Sequence, residues 1–164
     1  MDAYRAIVTK RDRREFDSRP IAEETVRRIL QAGRMAGSSR NSQPLRFVVI
    51  QKDRARVEPL AACMFSPDTT RRAPLVVAAL AQEGGGDFDV GRALQNMFVA
   101  AWAEGVISVP QGIRDAEAAR QALDAPAEMR VAMAAAFGYP APPAAKPESR
   151  PRLPFEEVVH WEKW

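Results

Sequence analysis

Cysteine and histidine are nearly absent from this sequence, which has one of each among its 164 residues. A single cysteine cannot form an internal disulfide, so a reducing cytoplasm is the expected location. Cys63 is expected to pack as a small apolar side chain rather than to serve as a catalytic thiol. His160 has no cysteine or second histidine near it in the sequence, which argues against a metal site.

Long apolar stretches are missing as well. No run of 18 or more apolar residues occurs, so no transmembrane helix and no membrane partner are expected. The first residues lack the basic-then-apolar layout of a signal peptide. Hydrophobic residues still make up 46% of the chain, which is enough to bury the core of one globular domain covering residues 1–164.

The positive charge is modest, with a net value of +3. The arginines form no single stripe with interleaved aromatic residues, so nucleic acid is the least favoured class of partner. Two basic clusters stand out, at 10–14 and 150–152. Together they suit a small phosphorylated ligand held from two sides, although either cluster alone also fits an ordinary solvated surface. The triple glycine at 84–86 lacks the features of a P-loop, which favours a simple connection.

The spacing of apolar residues predicts an alternation of helices and strands. Asp2 is expected to cap the first helix, and Gly105 is placed to end the longest one. The apolar segments 75–81 and 130–137 indicate strands buried in the core. The predicted helices cover 2–9, 23–35, 54–64, 89–104 and 115–123, and the predicted strands cover 46–50, 75–81, 107–109 and 130–137.

The C-terminal part differs in character from the rest. Residues 139–154 are rich in proline, so they are expected to form an extended arm. About fifteen residues in polyproline geometry span roughly 45 Å, enough to reach a second subunit. The tail that follows carries Val158, Val159, Trp161 and Trp164, which is too apolar to remain in water. An arm that ends in such a tail indicates an intertwined dimer.

Four segments resemble sequence motifs of one known family. Residues 10–16 are similar to Arg-Arg-Ser-x-Arg-x-Phe, and residues 36–44 with Phe47 are similar to Ala-Pro-Ser-x-x-Asn-x-Gln-Pro-Trp-x-Phe. Residues 89–97 contain a Gln-Asn-Met, and the last segment combines 137–140 with 150–159. Because all four occur in the right order over nearly the whole chain, the sequence resembles the nitroreductase family.

The resemblance implies a fold and an activity. The fold is α+β, with a central sheet, mostly antiparallel or mixed, flanked by helices and a C-terminal arm exchanged between the subunits of a homodimer. The cofactor is FMN, with NADH or NADPH as co-substrate. A hydride passes from NAD(P)H to flavin N5, and the oxidised nucleotide leaves. A nitroaromatic, a quinone or a related small acceptor then binds in its place and receives the electrons, which completes a ping-pong cycle.

The family pattern also implies binding roles for individual residues. Lys10 and Arg11 bind the phosphate and ribityl chain from one side, and Arg150 and Arg152 complete this phosphate grip from the C-terminal end. Arg14 faces the N1/O2 edge of the flavin, where a cation favours the reduced ring. The alternative for Arg14 is a surface salt bridge with a nearby glutamate.

The remaining implied contacts come from two loops. Ser38, Ser39 and Asn41 reach the flavin from the other subunit, although serine and asparagine also favour turns for their own reasons. Gln111 and Gly112 lie beside N5, where glycine lets the main chain approach closely. No acid–base side chain is required, so no catalytic side chain is expected.

Three positions depart from the family pattern: Asp12 replaces a serine, Gly37 a proline and Leu45 a tryptophan. A carboxylate at position 12 would repel a phosphate, so Asp12 is expected to pair with Arg14 or a neighbouring arginine. Only the glycine-rich stretch separates strand 75–81 from helix 89–104, which predicts an open site. These departures leave a second function open, a protein that binds or sequesters flavin with little turnover.

Overall fold

A computed structural model describes residues 1–82, 86–142 and 151–164. Two short 3-10 turns, Ser39–Asn41 and Arg54–Arg56, accompany the regular elements. The helices are α1 (Ala3–Thr9), α2 (Glu23–Arg34), α3 (Val57–Ala62), α4 (Pro67–Arg72), α5 (Asp87–Ala103), α6 (Ala116–Ala122) and α7 (Phe155–Val158). The strands are β1 (Leu45–Ile50), β2 (Leu75–Gln82), β3 (Ile107–Gln111) and β4 (Met129–Gly138).

The four strands form one antiparallel sheet in the order β1-β2-β4-β3. The central strands β2 and β4 are rich in alanine where they pair, as at Ala78–Ala134. Small side chains let helices approach both faces of the sheet, and apolar residues cover both faces in turn. The prediction of an α+β fold with a mostly antiparallel sheet between helices is confirmed.

Each face of the sheet has its own hydrophobic core. On one face Val76 and Leu80 pack in a cluster with Leu60 of α3 and Leu123 beside α6. On the other face the cluster contains Leu75 and Val77 with buried residues of α2 and α5. Because successive residues of β2 alternate between these clusters, this strand is buried on both sides, as its continuous apolar sequence predicted.

Most element boundaries agree with the sequence predictions. The Asp2 carboxylate accepts a hydrogen bond from the Arg5 N–H at 3.0 Å and caps α1, and Gly105 follows α5 with a φ of 75°. The predicted helix 54–64 is wrong in detail, because a 3-10 turn precedes the shorter α3. In the part of the chain that the structure describes, no helix is both long and apolar enough to cross a membrane.

Cys63 packs as the sequence predicted. Its side chain is buried, and the thiol donates a hydrogen bond to the Pro59 carbonyl at 3.3 Å. Burial raises the pKa of the Cys63 thiol, with a further contribution from the nearby Asp115 carboxylate. A protonated, buried thiol is a poor nucleophile, so Cys63 belongs to the core.

Gly138 lies at a crowded crossing of three segments. A Cβ at this position would come within 2.8 Å of both Phe16 and Pro74. We expect Gly138→Ala to lower the free energy of unfolding by about 1–3 kcal/mol, because overpacking forces the backbone to move. Urea denaturation measures this. The control is Gly91→Ala in α5, where a Cβ meets nothing within 4 Å; it should be neutral or stabilising. Equal effects would contradict the prediction.

The described part of the C-terminal segment exposes its large apolar residues. Trp161 is 77% and Trp164 98% exposed, and Phe155, Val158 and Leu153 are also exposed. The ring of Trp164 lies 4.3 Å from that of His160, centroid to centroid. Half of the predicted extended arm 139–154, namely residues 143–150, lies outside the described residues. The tail therefore has a large apolar surface that its own chain leaves uncovered.

Candidate functional site

The first basic cluster lies along the outer edge of β3. Asp12 forms a parallel bridge with Ser108, and the Arg13 N–H donates to the Ser108 carbonyl at 3.1 Å. Phe16 then forms an antiparallel bridge with Pro140. These main-chain contacts fix residues 12–16 against the sheet. The main chain of this segment is therefore part of the sheet edge rather than a free loop.

Lys10 and Asp12 form an ion pair within this cluster. The ammonium of Lys10 also lies 4.5 Å from the centre of the Phe98 ring, and its side chain is only 10% exposed. The predicted pairing of Asp12 with Arg14 or another arginine is wrong. Side chains two residues apart on an extended segment lie on the same side, so Asp12 meets Lys10 instead.

The two other predicted cations of this segment, Arg11 and Arg14, differ in how firmly the protein holds their side chains. The Arg11 guanidinium donates to the carbonyls of Val8 and Lys10 at 2.9 and 2.8 Å, which holds it close to the end of α1. Arg14 is exposed, and the Glu15 carboxylate accepts a hydrogen bond from its main-chain N–H at 3.4 Å. Arg14 therefore presents its charge to solvent beside the edge of β3.

Gln111 and Gly112 lie at the end of the same strand. The Gln111 side chain is 2% exposed; its Nε2 donates to the Pro110 carbonyl at 2.9 Å, and its Oε1 accepts from the Thr70 hydroxyl at 3.3 Å. Because Gln111 is buried and its amide is satisfied inside the protein, Gly112, which is half-buried, is the residue of this turn that reaches the surface. Ser108 precedes Gln111 by three residues, or about 10 Å, so the basic cluster and this turn share one edge.

Phe65 was missed by the sequence reasoning. Its N–H donates to the Gly112 carbonyl at 3.0 Å, and a Cβ on Gly112 would lie 3.1 Å from its ring. The ring is nevertheless 70% exposed. Phe65 lies in the short connection between two helices and fits no periodic pattern, so only the structure shows this aromatic surface beside Gly112.

The loop 37–44 contains the second group of predicted residues. The Ser38 hydroxyl accepts a hydrogen bond from the Gln43 N–H at 2.9 Å and so closes the loop, whereas Ser39 and Asn41 are exposed. Arg40, Asn41 and Gln43 all have positive φ angles, between 50° and 55°. Backbone strain of this kind tends to occur at functional sites.

Gly37 contacts the Arg92 side chain of α5. The Arg92 guanidinium of α5 donates to the Gly37 carbonyl at 2.8 Å, and a Cβ at position 37 would lie 2.8 Å from Arg92 Nη2. The guanidinium therefore occupies the space that a larger residue would need. This contact anchors the strained loop to the long helix.

The two groups of predicted residues lie on opposite edges of the sheet. The loop precedes β1, and the basic cluster borders β3, with β2 and β4 between them. Three strand spacings separate the edges by about 14 Å, so one chain does not bring the groups together. Arg152 is exposed in the C-terminal segment, and Arg150 lies outside the described residues.

Several motif residues hold the fold together instead. Asn96 donates to the Ala32 carbonyl at 3.2 Å, and a Cβ on Gly33 would come within 2.8 Å of the Met97 Cγ. The Gln-Asn-Met motif thus joins α5 to α2. Phe137 is fully buried against Phe98. Phe137 therefore packs in the core.

A groove of about 1170 Å³ runs beside α2 and β1. It includes Ser38 and Gln43 of the strained loop together with apolar residues such as Leu45 and Phe47. The residues of the basic cluster do not line it. Across residues 1–82, 86–142 and 151–164, no group of His, Cys, Asp and Glu side chains could hold a metal ion.

Comparison with known proteins gives a consistent result. A model of the nitroreductase family matches residues 7–83 and 66–139. An NADH dehydrogenase of Thermus thermophilus is 29% identical over 203 aligned residues, covering 98% of this chain and 96% of the relative.

Two solved structures add to the comparison. A Desulfovibrio desulfuricans protein assigned as a nitroreductase, in complex with FMN, is 31% identical, with a TM-score of 0.87 over 100% of this chain and 98% of that one. The NADPH:FMN oxidoreductase of Vibrio harveyi, complexed with NAD⁺, is 25% identical, with a TM-score of 0.87 over 99% of this chain and 77% of that one.

The fold and these matches define an oxidoreductase of α+β architecture with an antiparallel sheet. The chain belongs to the nitroreductase family. This confirms the resemblance that the four sequence motifs indicated.

Proposed function

We propose that the chain is an FMN-dependent oxidoreductase that uses NADH or NADPH to reduce a nitroaromatic, a quinone or a related small acceptor. The proposal treats residues 1–164 as one FMN-binding domain that works as a homodimer with shared flavin sites. The observation that carries it is the placement of the Lys10–Arg14 cluster on the edge of β3, the strand that ends at Gln111 immediately before Gly112. One strand thus links a cationic surface to a main-chain turn.

The residues present fit the chemistry of FMN. A phosphate requires charge-assisted donors, and Lys10 and Arg11 supply them at one end of this edge. A flat ring requires an accessible surface, and Gly112 with the exposed Phe65 ring provides one near the other end. Arg14 adds a solvent-facing cation to the same edge.

When bound, FMN supplies the group that accepts a hydride at N5 and passes the electrons on. Lys10 and Arg11 hold the phosphate, with Arg150 and Arg152 closing the grip from the C-terminal side. Arg14 stabilises negative charge on the N1/O2 edge through its guanidinium. Gln111 and Gly112 orient N5 through the main chain, while the buried Gln111 amide keeps this turn rigid.

Two features of a single chain support the proposed dimer. Ser38, Ser39 and Asn41 lie on the edge of the sheet opposite the phosphate grip, which favours a second chain as the one that supplies them to the same flavin. The exposed tryptophans of the tail need cover, and a partner subunit offers it. We therefore propose an exchanged C-terminal arm and two flavin sites, each formed by both subunits.

The experiment is to purify the protein, reconstitute it with FMN and record its visible spectrum before and after anaerobic addition of NADH or NADPH. We expect stoichiometric FMN and rapid bleaching near 450 nm in a stopped-flow instrument. A protein that takes up no FMN would refute the proposal. Bound FMN that neither nucleotide reduces would favour a flavin-sequestering protein instead.

A further inference from the structure

The ion pair between Lys10 and Asp12 places a carboxylate inside the proposed phosphate grip. This inference rests on the proposed function. Asp12 is held by its main-chain bridge to Ser108, so its carboxylate stays close to the Lys10 ammonium. Lys10 in turn lies over the Phe98 ring and is largely covered. Lys10 is thus held by its packing against this ring, and Asp12 is held at its main chain while its carboxylate is 48% exposed.

We propose that Asp12 is a specificity-determining residue that weakens the hold on the FMN phosphate and makes the flavin exchangeable. A phosphate that approaches Lys10 must share the ammonium with a carboxylate already paired to it. The phosphate would also lie about 5 Å from the negative charge of Asp12, because both groups would hydrogen-bond to the same ammonium. Both effects weaken the binding of the phosphate and do not change the binding of the isoalloxazine ring.

Riboflavin isolates this effect because it has the same ring and ribityl chain but no phosphate. Coulomb's law in a water-like medium gives on the order of tenfold in affinity for a carboxylate about 5 Å from a phosphate dianion. Asp12 should therefore reduce the preference for FMN over riboflavin by about that factor. Because Asp12 is 48% exposed, salt should weaken the effect.

The test measures the Kd of FMN and of riboflavin by quenching of flavin fluorescence, for the wild-type protein and for Asp12→Asn, Asp12→Ser and Asp12→Glu. We expect the Asn and Ser variants to bind FMN about tenfold more tightly, with riboflavin affinity unchanged. Asp12→Glu keeps the charge and should retain the wild-type ratio. Glu128→Gln, an exposed residue before β4, makes the same change in net charge and should change neither Kd.

A purely structural role for Asp12 predicts a different result. It would lower the melting temperature of the Asn and Ser variants and leave the ratio of the two Kd values unchanged, which would overturn the inference. Weaker FMN binding in both variants, or tighter binding of both flavins alike, would also overturn it. If no variant and no wild-type protein binds either flavin, the proposed function itself fails, which is a distinguishable outcome.

Discussion

Replacing Lys10 and Arg11 together by alanine should lower FMN affinity by about 100-fold or more. Each residue supplies a charge-assisted donor to the phosphate, and such bonds contribute roughly a factor of ten or more each. Riboflavin binding should change far less, because it has no phosphate. Fluorescence titration with both flavins measures this directly.

The control for this double variant removes two cations from elsewhere on the surface. Lys52 and Arg27 both pair with the exposed Glu23 near the start of α2, so their replacement by alanine makes the same change in net charge. Surface pairs of this kind contribute little to stability, and FMN affinity should remain at the wild-type value. If FMN and riboflavin weaken equally in the Lys10 and Arg11 variant, the phosphate grip is elsewhere.

Replacing Trp161 and Trp164 by serine should convert the proposed dimer to a monomer and abolish FMN retention. The two rings are 77% and 98% exposed on their own chain, and burial of such rings against a partner would supply much of the contact energy. Loss of the partner also removes Ser39 and Asn41 from the shared site. Sedimentation velocity and the flavin content after gel filtration measure both effects.

Lys163→Ser is the matched control, because it alters the same tail without removing apolar surface. This variant should remain dimeric and should retain FMN after gel filtration. A wild-type monomer that retains FMN, or a dimer that survives the loss of both tryptophans, would contradict the exchanged arm.

Local features of the fold were predictable because neighbouring residues determine them. The capping of α1 by Asp2 and the end of α5 at Gly105 depend on single residues and their immediate surroundings. The continuous apolar run of β2 predicted a strand buried on both faces. By contrast, α4 contains six residues and buries Thr69 and Thr70, so it lacks the apolar spacing that identifies a helix.

The geometry of the site was less predictable because it depends on contacts between distant segments. Strand order separates the Ser39 loop from the Lys10 cluster, and no periodic pattern specifies strand order. The Gln111 amide turns inward because the hydroxyl of Thr70, 41 residues away in sequence, donates a hydrogen bond to its Oε1. The family motifs identified which residues to examine, while only the structure showed that Lys10 pairs with Asp12.

The bridge between Asp12 and Ser108 also bears on how the chain avoids aggregation. An uncovered sheet border exposes main-chain donors and acceptors that recruit other strands. Residues 12–16 shield the β3 border, whereas β1 forms the opposite border and its Val49 side chain is exposed. Among the described residues, the border of β1 is thus the place where a newly synthesised subunit would recruit other strands. In the proposed dimer, assembly would then protect the chain during folding as well as complete its flavin sites.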